Sequence, residues 1–429
     1  MKNKKTIYLY IGMIGLLYPG FLISLWSYAY PNSFRYIMPI VSLLFIYLYG
    51  KRSSSIALPK KILLIWMPLL AIIFYKNQDM ARGIYVYILM YLVLFLSTLC
   101  LVYGIDWIDK TVNVMLVFCI VHLLAGFFFL LNKDILLNDI VPMFEIGDNA
   151  KNILLQNIEN GYMTGFTNHY STMGMYMSLG VIVSSAFLFN KSEKSKKSEV
   201  ILFVLMALGV FMTGKRGAVL FSTIAILLVY AIFCAPKTKK QIKKMVLYII
   251  PILIIAFVAY SKIPQIKSLF ERFLQDSNEL NEISSGRVEY FWINALSMFM
   301  NSPILGNGWR SFKYTSISTG SANDAHNIYL QLVAEGGIIG FLILITFLAT
   351  TWRVTYQSLK NNKNGTYFNP KQDAVLKVSL VYQTYFILYG FTGNPLYELQ
   401  CYVPYFLFVA IGWAGYYHIR KVNRQKSRK

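Results

Sequence analysis

The stretch NIYLQLVAEGGIIGFLILITFLATT, residues 327–351, decides the fold class. It is an apolar run longer than the roughly 20 residues that an α-helix needs to cross the hydrocarbon core of a membrane. Comparable runs recur along the whole chain, which is 56% hydrophobic and 14% charged, whereas about a quarter of the residues in an ordinary soluble domain are charged. The sequence therefore predicts an all-α integral membrane protein.

Outward from this run, the hydropathy pattern predicts about 12 transmembrane helices. They are expected at 6–28, 35–50, 60–75, 83–103, 111–131, 167–189, 199–213, 217–234, 245–260, 327–351, 374–391 and 397–418. The first run follows three lysines, as a secretion signal would. It is longer than a signal sequence and no small-x-small cleavage site follows it, so we expect it to be retained.

The basic residues indicate which side of the membrane each connection occupies. The chain has 41 Lys and Arg against 19 Asp and Glu, a formal charge of +22. With a cytoplasmic N-terminus, about two thirds of the basic residues and about a quarter of the acidic ones lie in cytoplasmic connections, as the positive-inside rule requires. This asymmetry explains the charge without a nucleic acid partner, and it places both termini in the cytoplasm.

Two connections on the opposite side of the membrane are long, at 132–166 and 261–326, whereas the others there are under about ten residues. Irregular backbone of that length is typical of functional segments in membrane proteins. We therefore predict a single polytopic membrane domain over 1–429, with a first long outer loop and a large helical outer loop before helix 10 that carries the active site.

The sequence offers little for a disulfide or a metal centre. Cys100, Cys119, Cys234 and Cys401 lie in or beside apolar runs, with no CxxC or CxxH motif, which is typical of small buried hydrophobic residues. The acidic residues of the loop 261–326 form no DxD or ExD pair for a divalent cation. We expect neither a metal nor another cofactor.

The connection between the seventh and eighth predicted spans reads Thr213-Gly214-Lys215-Arg216-Gly217. Glycine on both sides of the basic pair allows a tight turn that approaches a ligand closely. The guanidinium of Arg216 suits bidentate binding of phosphate oxygens. An arginine that extends to the membrane interface is the alternative interpretation, and both stay open on spacing alone.

The loop 261–326 contains a second candidate arginine. After Ser284, Ser285 and Gly286, Arg287 begins a segment with apolar residues at helical spacing, which predicts a short helix in the outer membrane interface. The free N–H groups and dipole at the start of that helix favour an anion. If the loop folds back over the eighth span, both arginines can contact one diphosphate group.

Histidine supplies the candidate base. His326 precedes the tenth span at its water-facing end, beside the long loop, where an imidazole is well placed to accept a proton near neutral pH. The alternative is a histidine hydrogen-bonded to loop backbone. His122 lies within a span and is interpreted as a buried hydrogen-bonding residue, and His169 lies at the outer end of the sixth span.

Taken together, these motifs resemble the O-antigen ligase/polymerase superfamily of bacterial membrane glycosyltransferases. The resemblance rests on GKRGA at 214–218, Arg287 with its Trp-containing helix, GNGW at 306–309 and HNxYLxxxxEGGIIG at 326–340. It implies a GT-C-like fold and metal-independent transfer of glycan from an undecaprenyl diphosphate carrier. It also implies that Arg216 and Arg287 bind the diphosphate and that His326 activates the acceptor hydroxyl.

The neighbouring motif residues are expected to bind substrate. They are Lys215, Tyr290, Trp309, Arg310 and Asn327.

We therefore expect a metal-independent glycosyltransferase in the bacterial cytoplasmic (inner) membrane, with an extracytoplasmic active site. It would polymerise undecaprenyl-diphosphate-linked repeat units into capsular or O-antigen polysaccharide. Its partners would be a lipid-linked glycan donor, a glycan acceptor, the bilayer and other polysaccharide-assembly proteins.

Three alternatives to the polymerase are considered. A ligase would transfer finished polymer to a lipid or wall acceptor with the same motifs. A lipid-linked glycan flippase would be expected to show matching halves and polar residues near the midplane, which this sequence lacks. A purely structural membrane protein would leave the two arginines and the histidine unexplained.

Overall fold

The computed structural model of the 429-residue chain describes residues 2–21, 34–50, 67–68, 71, 104–143, 148–190, 197–234, 291–318, 324–362 and 365–428. Within these residues all regular secondary structure is helical. The α-helices are α1 (Lys2–Phe21), α2 (Phe34–Gly50), α3 (Ile108–Leu131), α4 (Asp148–Glu159), α5 (Tyr170–Ser184), α6 (Ala186–Phe189), α7 (Lys197–Met212), α8 (Arg216–Cys234), α9 (Ile293–Asn301), α10 (Ser311–Ser318), α11 (Ile328–Asn361), α12 (Pro370–Tyr389) and α13 (Leu399–Lys426).

The all-helical prediction is confirmed for these residues. Each predicted span that lies wholly within them is helical to within a few residues of its ends, whereas the first, 6–28, is helical as far as Phe21 and its residues 22–28 lie outside the described residues. The runs 83–103 and 245–260, and 60–75 apart from residues 67–68 and 71, lie outside the described residues. A total of 12 spans and a GT-C-like arrangement therefore stay predictions.

Four helical stretches are long and apolar enough to cross a membrane, judged on the described residues alone. They are Ile108–Leu131, Tyr170–Phe189, Arg216–Cys234 and Ile328–Asn361. α3 shows what such a helix presents to its surroundings, because one stripe of it is exposed: Val117, Val121, Leu124, Phe128 and Leu131. A continuous apolar stripe of this kind is suited to lipid, so the chain is an integral membrane protein.

Both long loops contain secondary structure. The segment 132–166 holds a π-helix (Ile135–Ile140), a 3-10 turn (Val141–Met143) and α4. The segment 261–326 holds α9 and α10. The short helix predicted after Arg287 is confirmed over Ile293–Asn301, whereas its predicted start, with Ser284, Ser285 and Arg287, lies outside the described residues.

The chain divides into two compact units. The terminal unit comprises Met1–Phe21, Asn32–Val114 and Ser277–Lys429, and the central unit comprises Leu22–Pro31 and Met115–Asp276. In the terminal unit α11, α12 and α13 pack against one another, α1 packs on α2 and α13, and α9 and α10 pack on α11. In the central unit α5 packs against α7 and α8. The single-domain assignment for 1–429 stays a prediction.

α11 is broken one third of the way along its length. Gly337 has φ 61° and ψ −164°, far from helical values. In an unbroken helix the N–H groups of Ile338 and Ile339 would donate to the carbonyls of Ala334 and Glu335. The break separates both pairs, and four backbone groups inside an apolar helix need other partners.

The segment 303–308, here called the clamp segment, provides all four partners. The Ile338 and Ile339 N–H groups donate to the carbonyls of Pro303 (2.9 Å) and Ile304 (3.3 Å). The N–H groups of Asn307 and Gly308 donate to the carbonyls of Ala334 (3.1 Å) and Glu335 (2.8 Å).

Close backbone contact of this kind requires glycine at two positions. Gly306 has φ 70°, and a Cβ there would lie 2.4 Å from the Glu335 carbonyl. A Cβ on Gly337 would lie 2.4 Å from the Ile304 carbonyl oxygen. The motifs GNGW and EGG are therefore two halves of one backbone junction.

We expect Gly337→Ala to destabilise the protein by about 3 kcal/mol or more, since backbone strain alone accounts for about 1–3 kcal/mol and the new methyl group displaces the clamp segment. Gly365→Ala is the matched control, because Gly365 also has a positive φ (67°) but nothing lies within 4 Å of its Cβ position. That variant should cost only about 1–2 kcal/mol. Thermal unfolding of the detergent-solubilised chain measures both, and equal losses would contradict the steric role of Gly337.

Candidate active site

In the central unit, the turn at 213–215 presents the predicted phosphate-binding residues. Gly214 has φ 67°, and a Cβ there would lie 2.4 Å from the ring of Tyr162. The tight turn predicted from the GKRG motif is thus confirmed at Gly214, whereas Gly217 is an ordinary helical residue of α8. Arg216 is the first residue of α8 and is half-buried.

Lys215 brings the starts of two helices together. Its Nζ donates to Ser171 Oγ at 3.0 Å, and its side chain packs over Gly174 of α5. The first turns of α5 and α8 therefore lie side by side, next to the cationic residues Lys215 and Arg216. Helix N-termini expose backbone N–H groups and favour negative charge, so this surface is chemically suited to an anion.

His169 completes this surface as a neutral side chain. It is the N-cap of α5, and its Nδ1 accepts a hydrogen bond from the Ser171 N–H at 3.0 Å. Burial, followed by the positive charge of Lys215, lowers the pKa of His169 to about 4. Because Nδ1 is the acceptor, the proton of the neutral ring is on Nε2, which makes His169 a hydrogen-bond donor at neutral pH.

In the terminal unit, His326 lies immediately before the start of α11. Asn327 is the N-cap, and its Oδ1 accepts from the N–H groups of Tyr329 (3.0 Å) and Leu330 (3.1 Å). The Ile328 N–H donates to the Gly390 carbonyl at 2.9 Å, so the turn after α12 also packs here. His326 is half-buried, and its ring lies edge-on to Phe291 with centroids 5.9 Å apart.

Two predicted site residues share an unusual backbone. Among the described residues, only Arg310 (φ 63°) and His326 (φ 51°) combine a positive φ with a side chain. Such conformations are uncommon for residues other than glycine, cost about 1–3 kcal/mol and cluster at functional sites. Sequence reasoning had no signal for this feature, because neither residue type requires it.

A buried carboxylate lies between these residues. Glu335 is 1% exposed. Its Oε2 accepts from the Arg310 N–H (2.7 Å) and the Tyr397 hydroxyl (2.6 Å), and its Oε1 accepts from Gln331 Nε2 (3.1 Å). Glu335, Gln331 and Tyr397 are not among the site residues predicted from the sequence. The available signal was a charged residue inside a predicted span, which is by default a functional-site candidate.

Trp309 is 4% exposed, and its ring stacks on Tyr397 with centroids 4.4 Å apart. Its observed contacts are therefore structural, as are those of Asn327, and direct substrate binding by either residue stays a prediction. Arg287 and Tyr290 lie outside the described residues. Within the terminal unit, the structure brings Trp309 and Arg310 close to Glu335 of α11. Within the central unit, it brings Lys215 into contact with α5.

The described residues contain no group of three or more His, Cys, Asp or Glu side chains arranged to hold a metal ion. Cys119, Cys234 and Cys401 form no disulfide within the described residues, and the first and last are buried. Metal independence and the absence of a cofactor stay predictions.

Part of the chain matches a known protein family. Residues 201–345 match the family described as O-antigen ligase. The match over these residues supports membership of the O-antigen ligase/polymerase superfamily. The matched region contains every predicted site residue as well as Glu335, whereas Tyr397 lies beyond it. No curated protein matches the chain.

The match suggests an O-antigen ligase/polymerase-type role for the chain, as a glycosyltransferase-like membrane enzyme. Lipid-linked glycans and polysaccharides are the substrates that this superfamily suggests.

We predict that Lys215→Met raises the pKa of His169, because it removes a positive charge that disfavours the imidazolium. Lys133→Met is the control, since the Lys133 amino group donates instead to the Ile158 carbonyl. The chain has four histidines, so titration of ¹³C-labelled histidine by NMR, with the His169 signal assigned by its loss in His169→Asn, measures the shift. An unchanged or lower pKa in Lys215→Met would contradict the proximity of the two side chains.

Proposed function

We propose that this enzyme polymerises undecaprenyl-diphosphate-linked oligosaccharide repeat units into capsular or O-antigen polysaccharide, at the outer leaflet of the bacterial cytoplasmic membrane. Superfamily membership supports glycan transfer in O-antigen assembly. The proposed class of donor rests on the hydrogen bond between Lys215 and Ser171. This bond brings two helix N-termini and two cationic residues together in one surface. A diphosphate is the part of the proposed donor that such a surface recognises.

The donor is activated by charge stabilisation on its leaving group. As the bond between the sugar C1 and the diphosphate oxygen breaks, the electron pair leaves with the diphosphate. That diphosphate is bound by Arg216, Lys215 and Arg287. A cation ~4 Å from one phosphate charge contributes up to ~4 kcal/mol of Coulomb attraction at an effective dielectric constant of about 20, before the cost of desolvation is subtracted. Only the increase in this interaction at the transition state accelerates transfer.

The acceptor is activated by proton removal. Its hydroxyl oxygen forms the new bond to C1 while His326 accepts the hydroxyl proton. A positioned base contributes about 10²–10⁴-fold to the rate. Attack opposite the leaving group inverts the anomeric centre, which comparison of the linkage in the donor and in the product tests directly. No step assigned to these residues requires a metal.

The arrangement of charges in the terminal unit supports an extracytoplasmic site. His326, the Gly390 carbonyl and Tyr397 lie together at one end of α11, α12 and α13. Lys360 lies in the last turn of α11, and Arg424 and Lys426 lie in the last turn of α13. The positive-inside rule assigns that basic end to the cytoplasm and therefore the His326 end to the outside.

A ligase is the second candidate function, and the description of the matched family as O-antigen ligase favours it. In that case the same cationic surface would hold a finished, carrier-linked polymer, and His326 would activate a hydroxyl of a different lipid or wall acceptor.

Reconstitution of the purified chain with a defined diphosphate-linked repeat distinguishes the two functions. We expect a ladder of products that differ by one repeat, formed at the same rate with and without EDTA. Transfer of preformed polymer in a single step, without a ladder, would establish the ligase instead. Loss of transfer in EDTA that Mg²⁺ restores would contradict the metal-independent chemistry.

We expect Arg216→Ala and His326→Ala each to lower transfer at least about 100-fold, because one removes a diphosphate contact and the other the base. Arg216→Lys should also impair transfer, since a point charge replaces the bidentate guanidinium. Arg420→Ala is the control, because the guanidinium of Arg420 lies over Tyr416 near the end of α13. Wild-type chain lengths from both alanine variants, in correctly inserted protein, would reject these roles.

A further inference from the structure

Of the acidic residues that the structure describes, Glu335 alone is buried. A buried carboxylate is expensive to desolvate and is tolerated where donors satisfy it. Three donors do so here, from three separate parts of the chain: the Arg310 N–H after the clamp segment, Gln331 one helical turn earlier and Tyr397 before α13. Both of its oxygens accept hydrogen bonds from the protein itself, and the side chain is shielded from solvent.

We infer that Glu335 is a positioning residue for transfer, which fixes the backbone of Arg310 directly and the backbone before His326 through Gln331. The inference deepens the proposed function and rests on it, because it assumes that His326 is the base.

The link to His326 passes through a single amide. Gln331 Nε2 donates to Glu335 Oε1 (3.1 Å), and Gln331 Oε1 accepts from the Ala325 N–H (3.0 Å). The amide of Gln331 is thereby held in one orientation, with its NH₂ towards Glu335 and its oxygen towards Ala325. The Gln331 NH₂ also donates to Asp324 Oδ1 at 3.1 Å. The residue before His326 is therefore fixed by the same carboxylate that fixes Arg310.

Two unfavourable backbone conformations explain why this network is needed. Arg310 and His326 each have a positive φ, which persists only where surrounding contacts hold it. The Arg310 N–H donates to Glu335 itself, and the N–H next to His326 donates to Gln331. Without these bonds both segments can relax to ordinary backbone, which re-aims the guanidinium and the imidazole. A displacement of about 1 Å at a reacting group can cost about 100-fold in rate.

Glu335→Gln tests the network with almost no change in shape. If the new carboxamide oxygen accepts from Arg310 and Tyr397, its NH₂ faces the NH₂ of Gln331, donor against donor. Gln331 can relieve this conflict only by rotating its amide, which turns its NH₂ towards the Ala325 N–H. Ala325 then loses its acceptor, while Arg310 keeps its own. The variant therefore releases the segment before His326 selectively.

The experiment combines hydrogen–deuterium exchange of the full-length chain in nanodiscs with steady-state transfer kinetics on the defined diphosphate-linked repeat. In Glu335→Gln we expect faster exchange of the Ala325 amide and protection of the Arg310 amide. We expect kcat per folded molecule to fall about 10- to 100-fold, with KM for the donor changed less than about threefold. Tyr397→Phe, which removes one donor only, should give a smaller loss of kcat.

Thr351→Val is the matched control, because Thr351 is another buried polar residue of α11, bonded to Tyr405 at 3.1 Å. It should lower the yield of folded protein without changing kcat or the exchange of Ala325. Unchanged exchange of Ala325 in Glu335→Gln, or faster exchange with wild-type kcat, would overturn the positioning role alone. A wild-type chain that transfers no glycan would overturn the proposed function, and the positioning role with it.

Discussion

The site in the terminal unit depends on one backbone junction, the break of α11 at Gly337. Two helical hydrogen bonds are given up there, and the four released groups bond to the clamp segment 303–308. Because unpaired backbone groups are costly at membrane depth, the break and the clamp segment are stable only together. The junction fixes the carbonyl of Glu335 and leaves its carboxylate in contact with Arg310 and Tyr397. The break in α11 thereby helps to hold Glu335 and the backbone of Arg310 in place.

Each unit has its own set of candidate site residues. In the central unit, Lys215 and Arg216 lie at adjoining helix starts, and His169 is kept neutral beside them. This surface is chemically suited to a negatively charged group, to which a neutral imidazole can donate a hydrogen bond without adding charge. In the terminal unit, a half-buried imidazole, His326, lies at the start of α11 next to a network centred on a carboxylate. Glycosyl transfer from a diphosphate requires both an anion site and a base, and the residues proposed for these two roles lie in the matched region 201–345.

Within the described residues, hydropathy predicted the long apolar helices well, because a membrane helix needs a long apolar run and little else. It failed where helices are polar: α11 continues to Asn361 and α13 to Lys426, well past the apolar runs, and α4 lies in a segment predicted to be a loop. The motifs indicated Arg216 and His326, but not how they are held. The break at Gly337, the positive φ of Arg310 and the partners of Glu335 depend on contacts between segments distant in sequence, which residue types alone do not specify.

The central claim is that the start of α11, at His326, contacts the lipid-linked substrate. Carbethoxylation of histidine by diethylpyrocarbonate, followed by mass spectrometry, tests it with an internal reference. His418 lies at the opposite end of the helices, where its ring bonds to the Tyr367 carbonyl at 3.1 Å. A phosphonate analogue of the diphosphate-linked repeat, which cannot transfer its glycan, should slow the modification of His326 several-fold and leave that of His418 unchanged. Equal rates at His326 with and without the analogue would contradict the account.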